Sequence, residues 1–124
     1  MEEFIYKKLL EVIKIPYKKI SFFGKITDTN YEMFFFVNDG NKDIQCYQLA
    51  ENGQLDETEI DLCFKMIAQE YRKNEAFSQD KLWIISFVLD DSSIIEYNIE
   101  QYEKNERVYK LKKNWIKKHN IYIS

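Results

Sequence analysis

The chain has 124 residues, of which 45% are hydrophobic and 31% charged. This apolar content is enough for the core of a single domain, residues 1–124, and excludes wholesale disorder. The start Met1-Glu2-Glu3 lacks the pattern of a secretory signal, which is a basic start followed by an apolar stretch. The longest apolar run, residues 82–89, is too short to span a bilayer. We therefore expect a cytoplasmic protein without a membrane partner. The formal net charge of −3 combines an acidic middle with a basic end, and the acidic part repels phosphate backbones.

The first half of the chain has the pattern of one helix followed by three strands. Over residues 2–14, apolar side chains recur at i, i+4, i+7 and i+8, which is typical of a helix with one buried face, and Pro16 would end it. Alternating or aromatic-rich segments predict strands at residues 18–27, 31–38 and 44–50. Gly24 leaves a gap in the apolar face of the first strand, where we expect a bulge, and Asn38-Asp39-Gly40-Asn41 is typical of a tight hairpin turn.

The second half of the chain predicts a helix, a hairpin and a last helix. The run Asp56-Glu57-Thr58-Glu59 resembles a capping box, and the helix behind it extends to about residue 74 with one wide apolar face. Two strands and a helix follow, at residues 81–89, 94–99 and 102–118. Trp115 is expected on the buried side of the last helix. The order α-β-β-β-α-β-β-α predicts an α+β fold, with an antiparallel sheet of about five strands flanked by helices.

Side chains in catalytic or metal-binding arrangements are scarce. The one histidine, His119, is interpreted as a satisfied or solvated side chain, and Cys46 and Cys63 as free buried thiols of a reducing compartment. The glycines are scattered, so no phosphate-binding loop is present, and no Asp or Glu precedes a Lys by two residues, as it often does in Mg²⁺-dependent nucleases. The sequence therefore predicts a binding protein, not an enzyme, with no metal and no cofactor.

The C-terminal part of the chain is strongly basic. Residues 101–124 contain seven Lys or Arg against two Glu, with Tyr109 and Trp115 among them. The ordinary interpretation is a solvated helix face whose cations favour the negative end of the helix dipole. The alternative is a nucleic-acid-binding module that uses residues 104–118, although the acidic middle of the chain opposes such binding.

Several landmarks follow one another in an order known from a protein family. They are Ile15-Pro16-Tyr17-Lys18 after the first helix, Phe34-Phe35-Phe36 in a strand, a helix with Ile60, Phe64, Ile67 and Tyr71 on one face, Trp83 and Tyr97 in the last hairpin, and Glu106-Arg107 leading to Trp115-Ile116-Lys117-Lys118. With this layout the chain resembles the YezG-like antitoxin or immunity family, small cytoplasmic proteins that neutralise secreted polymorphic toxins, commonly nucleases. The resemblance covers nearly the whole chain, but the closing hairpin has Ser92-Ser93-Ile94 where the family usually has Gly-Lys-Phe.

The resemblance implies an immunity protein of bacterial competition, such as contact-dependent inhibition, that binds the C-terminal domain of its cognate toxin and occludes it. Since nucleases have basic substrate clefts, carboxylates on an immunity protein can mimic phosphates there. Residues 28–61 hold nine acids against Lys42 alone and supply such groups. The acids predicted to contact the toxin are Asp39, Asp43, Asp56, Glu57, Glu59, Asp90, Asp91 and Glu96. Tyr31 or Tyr97 is the expected aromatic anchor beside them.

Overall fold

The structure, a computed structural model, describes residues 1–74, 76–77, 80–104 and 106–121. Its elements, in chain order, are α1 (Glu2–Val12), β1 (Lys19–Ile26), β2 (Tyr31–Asn38), β3 (Asp43–Gln45), α2 (Cys46–Glu51), α3 (Glu57–Arg72), β4 (Lys81–Asp90), β5 (Ile94–Glu103) and α4 (Val108–Lys118). The five strands form one antiparallel sheet in the order β3-β2-β1-β4-β5. The predicted α+β fold and its order of elements are confirmed, with one short helix, α2, added before α3. Within the described ranges, no helix has the length and apolar composition needed to cross a membrane.

Helices cover both faces of the sheet because its central strands carry apolar side chains on both. Successive β1 residues point to opposite faces, so the ring of Phe22 meets Phe64 of α3 at 6.1 Å between ring centroids, and the ring of Phe23 meets Trp115 of α4 at 5.5 Å. Helix α1 packs beside α3 and buries residues such as Leu9. Helices α1 and α3 therefore lie on one face of the sheet and α4 on the other.

The third predicted strand is wrong beyond Gln45. β3 ends at this residue, and its side chain accepts a hydrogen bond from the backbone N–H of Tyr47 at 2.8 Å, which caps the start of α2. Cys46 and Leu49, three residues apart, are buried on one side of that short helix. Cys46 thus lies in a helix, not in the predicted strand, whereas Cys63 lies in a helix as predicted, and both thiols are free and buried.

The last helix, predicted over residues 102–118, begins later than expected. β5 continues to Glu103 because it pairs along the whole of β4, with Glu103 opposite Lys81 and ion-paired to it. Helix α4 begins only at Val108, and residue 105 of the predicted helix lies outside the described residues. Trp115 is buried in α4, as predicted.

The bulge predicted at Gly24 is also wrong. β1 keeps an uninterrupted register with both β2 and β4 through this residue. A Cβ atom at position 24 would lie 3.1 Å from Cε1 of Phe22, so glycine makes room for that ring. The register shift of the described sheet lies instead between β4 and β5, beside Leu89.

Candidate functional site

Three separate segments of the chain meet at one end of the sheet, which we call the hairpin end. Lys19, at the start of β1, lies opposite both Asn38 and Asp90, so the turns that follow β2 and β4 lie on either side of it. Helix α3 begins at the same end, because Lys14, which precedes β1, pairs with Glu59 in the first turn of α3 at 3.6 Å.

The other end of α3 is tied to the opposite end of the sheet. Arg72 donates from Nε to the carbonyl oxygen of Thr27 and from Nη2 to that of Asn30, both at 2.9 Å. Thr27 and Asn30 belong to the turn between β1 and β2. The position of the α3 N-terminus at the hairpin end is therefore set by contacts at both ends of the helix.

The hairpin end brings together six of the eight acids predicted to contact a partner. They are Asp39, Asp56, Glu57, Glu59, Asp90 and Asp91. Asp90 is half-buried and the other five are exposed. The fold thus gathers on one surface acids that are far apart in the sequence.

Three of these acids also hold the local backbone. Asp39 accepts hydrogen bonds from two backbone N–H groups of its turn at 2.9 and 3.1 Å, and Asp90 does the same in the other turn at 2.9 and 2.7 Å. These bonds hold the pKa of both carboxyls below the ordinary value, so both are charged at neutral pH. Asp56 accepts the backbone N–H of Glu59 at 3.1 Å and caps α3, which is half of the predicted capping box.

Lysines lie among the acids of the hairpin end, and counting charges along the sequence did not reveal them. Lys19 stands between the two acidic turns in the sheet register, and Cγ of Lys18 lies 3.6 Å from the position a Cβ on Gly40 would occupy. The lysines of this end are Lys14, Lys18, Lys19 and Lys42. With six acids against four lysines, the surface is acidic on balance and patterned, with cations between the two acidic turns.

The other two acids predicted as contacts are turned away from this surface. Asp43 is only 8% exposed and accepts a hydrogen bond from Nδ2 of Asn38 at 3.1 Å, so its prediction as a surface acid is wrong. Glu96 lies on the face of the sheet covered by α4, where its carboxylate is bound by Ser86 and His119. Neither placement could be predicted from the sequence, because both depend on which face of a strand the residue occupies.

A polar network joins β4, β5 and α4 around Glu96. Trp115 donates its Nε1–H to Oγ of Ser86 at 2.8 Å, the Ser86 hydroxyl donates to the Glu96 carboxylate, and Nε2 of His119 lies 3.0 Å from the same carboxylate. Partial burial raises the pKa of Glu96, but the hydrogen bonds from Ser86 and His119 outweigh it and leave the pKa below the ordinary value. His119 is thus satisfied inside the fold, as predicted. Among the described residues, no group of three or more His, Cys, Asp or Glu side chains is placed to hold a metal ion.

Neither aromatic residue predicted as an anchor lies at the hairpin end. Tyr31 is opposite Ile26, at the far end of the sheet. The hydroxyl of Tyr97 lies 2.7 Å from that of Tyr71 in α3 and is engaged inside the fold. The structure therefore separates both predicted anchors from the acids they were expected to accompany.

An open hollow of about 370 Å³ lies at the hairpin end. Its apolar lining comes from segments far apart in sequence: Ile15, Tyr17, Val37, Ile44 and Leu49. Asp39 and Lys18 also line it. The pKa of Tyr17 is raised, chiefly by burial and then by the nearby Tyr6, Asp91 and Asp90, so the second acidic turn is also within electrostatic reach of the hollow.

The outer face of α4 carries the basic residues of the C-terminal segment. Lys112 pairs with Glu32, and Lys104, before the helix, pairs with Asp28 at 2.6 Å. Tyr109 is 75% exposed, whereas Trp115 is buried and unavailable to a ligand. Among the ion pairs of the described residues, none involves Arg107, Lys110, Lys113, Lys117 or Lys118.

No protein-family model matches the chain, and no curated protein matches it.

Proposed function

We propose that the chain is an immunity protein that binds the toxic domain of a cognate toxin, one to one, and occludes it through the hairpin end. The observation that carries the proposal is the meeting of six carboxylates from three separate segments at one end of the sheet. A nuclease domain must bind phosphates and therefore presents a basic cleft, which these carboxylates complement. The resemblance to YezG-like immunity proteins supports the same role.

Three of the six acids at this surface are held in place before any partner arrives. Asp39 and Asp90 are fixed by the backbone N–H groups of their turns, and Asp56 by the first turn of α3. A surface that is already ordered loses little conformational entropy on binding, so more of the interaction energy remains as affinity. This rigidity favours the tight complex that neutralising a toxin requires.

The lysines between the acidic turns favour selectivity. A uniformly acidic surface would attract many basic proteins, whereas a surface with Lys18 and Lys19 between two acidic groups repels any cation placed opposite them. A cognate toxin must therefore match the alternation of charge as well as its sign.

The proposal includes a cytoplasmic location, because a nuclease toxin threatens the nucleic acids inside the producing cell.

The test requires a cognate toxin domain, which the proposal places in the reading frame next to that of this chain. The variant carries E57K, E59K and D91K, three exposed acids that do not accept the backbone hydrogen bonds of the turns. We expect its association rate with the toxin domain to fall by about tenfold or more at low salt, and the difference from wild type to shrink as salt screens the charges. Stopped-flow kinetics and a titration of toxin activity measure the rate and the one-to-one end point.

The control variant carries E3K, E70K and E106K, which make the same change in net charge at the opposite end of the molecule. We expect it to associate at nearly the wild-type rate. Circular dichroism checks that both variants are folded. Equal rates for the two triple variants, whether both slowed or both unchanged, would show that the position of the acids does not matter, and the hairpin end would lose its assigned role.

Nucleic-acid binding through α4 is a second candidate function, favoured by one observation. Tyr109 is 75% exposed on a helix face that also carries Lys110 and Lys113, so a base could stack on its ring while the lysines contact phosphates. A gel shift of a single-stranded oligonucleotide at increasing salt tests it, with K110E, K113E and K117E combined in one variant. The matched control reverses Lys7 of α1, Lys65 in the middle of α3 and Lys73 at its C-terminal end, all on the other face. Equal shifts by both variants would exclude α4 as the binding surface.

A further inference from the structure

We infer that the hollow at the hairpin end receives one large apolar side chain of the partner, flanked on the partner's surface by lysine or arginine residues. The inference rests on the proposed function and names the feature that the toxin must present. In this inference the hollow slows dissociation of the complex, while the surrounding acids speed association.

The lining of the hollow sets the chemistry of the side chain that enters it. Val37 and Leu49 are each only 1% exposed and form the floor, and the half-buried Ile15, Tyr17 and Ile44 complete the apolar surface. A charged group at this floor would lose its hydration without gaining a partner, whereas an apolar group loses only unfavourable contact with water. The occupant of the floor is therefore apolar.

The hollow is large enough for one large side chain. Its volume of about 370 Å³ is near the lower limit of the roughly 300–1,000 Å³ found for small-molecule pockets. Interfaces commonly hold together through a few large residues that fill such hollows, within a ring of polar contacts that excludes water. An aromatic or long aliphatic side chain fits this description.

Charge around the hollow sets what flanks the occupant. Asp39 lines it directly, Asp56 follows Gln54 of the lining by two residues, and Asp90 and Asp91 act on the Tyr17 wall. Lys18 also lines the hollow, so the cations of the partner must lie to the sides, opposite the carboxylates. An apolar residue between basic ones is therefore the complementary pattern.

The test uses the whole chain and three short peptides as probes: acetyl-Lys-Lys-Trp-Lys-Lys-amide, the same peptide with Ala in place of Trp, and acetyl-Glu-Glu-Trp-Glu-Glu-amide. Backbone amide shifts of the ¹⁵N-labelled protein are followed by NMR during each titration. We expect the basic Trp peptide to bind at least about tenfold more tightly than the basic Ala peptide, because only the former buries a large apolar group. The shifts should concentrate at residues 15–18, 37–44 and 49–54.

A variant that fills the hollow separates it from the acids. I44W places an indole in the half-buried wall, and we expect it to remove the preference for the Trp peptide while leaving the Ala peptide unaffected. L62W, which adds an indole at an exposed position of α3, is the matched control and should keep the preference. If I44W does not fold, Q54W closes the hollow from the loop before α3 instead.

Each outcome decides the inference. Equal affinity for the two basic peptides, shifts outside the lining segments, or equally strong binding of the acidic Trp peptide would overturn it. The peptide titrations test the hollow, whereas the association rate of the variant with E57K, E59K and D91K tests the proposed function. Failure of the hollow is therefore distinct from failure of the proposed function. Loss of Trp preference in I44W together with faster dissociation of the toxin domain from I44W would support both.

Discussion

The Ser86→Ala substitution is the sharpest test of how the α4 face of the sheet is stabilised. The Ser86 hydroxyl accepts the Nε1–H of Trp115 at 2.8 Å and donates to the carboxylate of Glu96. Ser86 and Trp115 are each only 7% exposed, so water cannot easily replace the lost acceptor. Removing one hydroxyl therefore leaves a buried indole N–H without a partner and a carboxylate with one donor fewer.

The expected cost follows from these two losses. A buried donor left unsatisfied costs about 1–3 kcal/mol, and a hydrogen bond to a charged group contributes about 1.5–3 kcal/mol. The Glu96 side chain is 29% exposed and can be partly rehydrated, which reduces the second loss. We expect S86A to lower the free energy of unfolding by about 2–3 kcal/mol, and the melting temperature by roughly 6–15 °C for a chain of this length.

Urea unfolding followed by far-UV circular dichroism measures the effect without relying on tryptophan fluorescence. The matched control is S21A, because Ser21 is also buried in the sheet but its hydroxyl has no hydrogen-bond partner among the described residues. S21A should be neutral or slightly stabilising.

Combining S86A with W115F removes both the Ser86 hydroxyl and the Trp115 Nε1–H. The double variant should therefore be more stable than the sum of the single effects predicts, by about 1–2 kcal/mol. A cost of S86A equal to that of S21A, or strict additivity in the double variant, would refute the network as a source of stability.

Because the pKa of Glu96 is lower in the folded protein than in the unfolded chain, its stabilisation is present above a pH of about 4.3 and is lost as the pH falls through the folded value. The urea midpoints of wild type and E96Q should therefore differ at pH 7, and the difference should shrink as the pH is lowered below about 4.3. Burial raises the pKa of Cys46 to about 11 and of Cys63 to about 12, so neither thiol should react with a disulfide reagent at pH 8 until urea is added; rapid reaction of the native protein would contradict their burial. D56A removes the cap of α3 and should cost about 1 kcal/mol in urea unfolding, with little effect expected from the control K65A, whose side chain is exposed in the middle of the same helix.

Elements with a strong local pattern could be predicted from the sequence. The aromatic run of β2, the Asp39-Gly40 turn and the capped helix α3 are each specified by residues within a few positions of one another. Helix α2 was missed because apolar residues at Ile44, Cys46 and Leu49 fit a short strand as well as a short helix, and the Gln45 cap decides between them. The length of β5 was missed because pairing with β4 extends it, which is a tertiary effect.

The site depended on information that local pattern does not contain. Predicting two hairpins did not show that β1 lies between β2 and β4, and only that strand order brings Asp39 and Asp90 to either side of Lys19. The same order inserts lysines into a surface that looked uniformly acidic along the chain. The face occupied by Asp43 and Glu96 likewise follows from register, which a shift of one residue would reverse.

Under the proposed function, stability and partner binding depend on different parts of this molecule. The carboxylate of Glu96 is hydrogen-bonded to Ser86 and His119 inside the fold, and these bonds link α4 to the sheet. At the hairpin end, the hydrogen bonds to Asp39 and Asp90 are all accepted by Oδ1, and Asp91 is exposed beside them. Substitutions in the network should therefore change the free energy of unfolding more than the association rate with a toxin domain, and substitutions of exposed hairpin-end acids should do the reverse. A network variant that remained folded but associated as slowly as the hairpin-end variant would show that the two regions are coupled through the sheet.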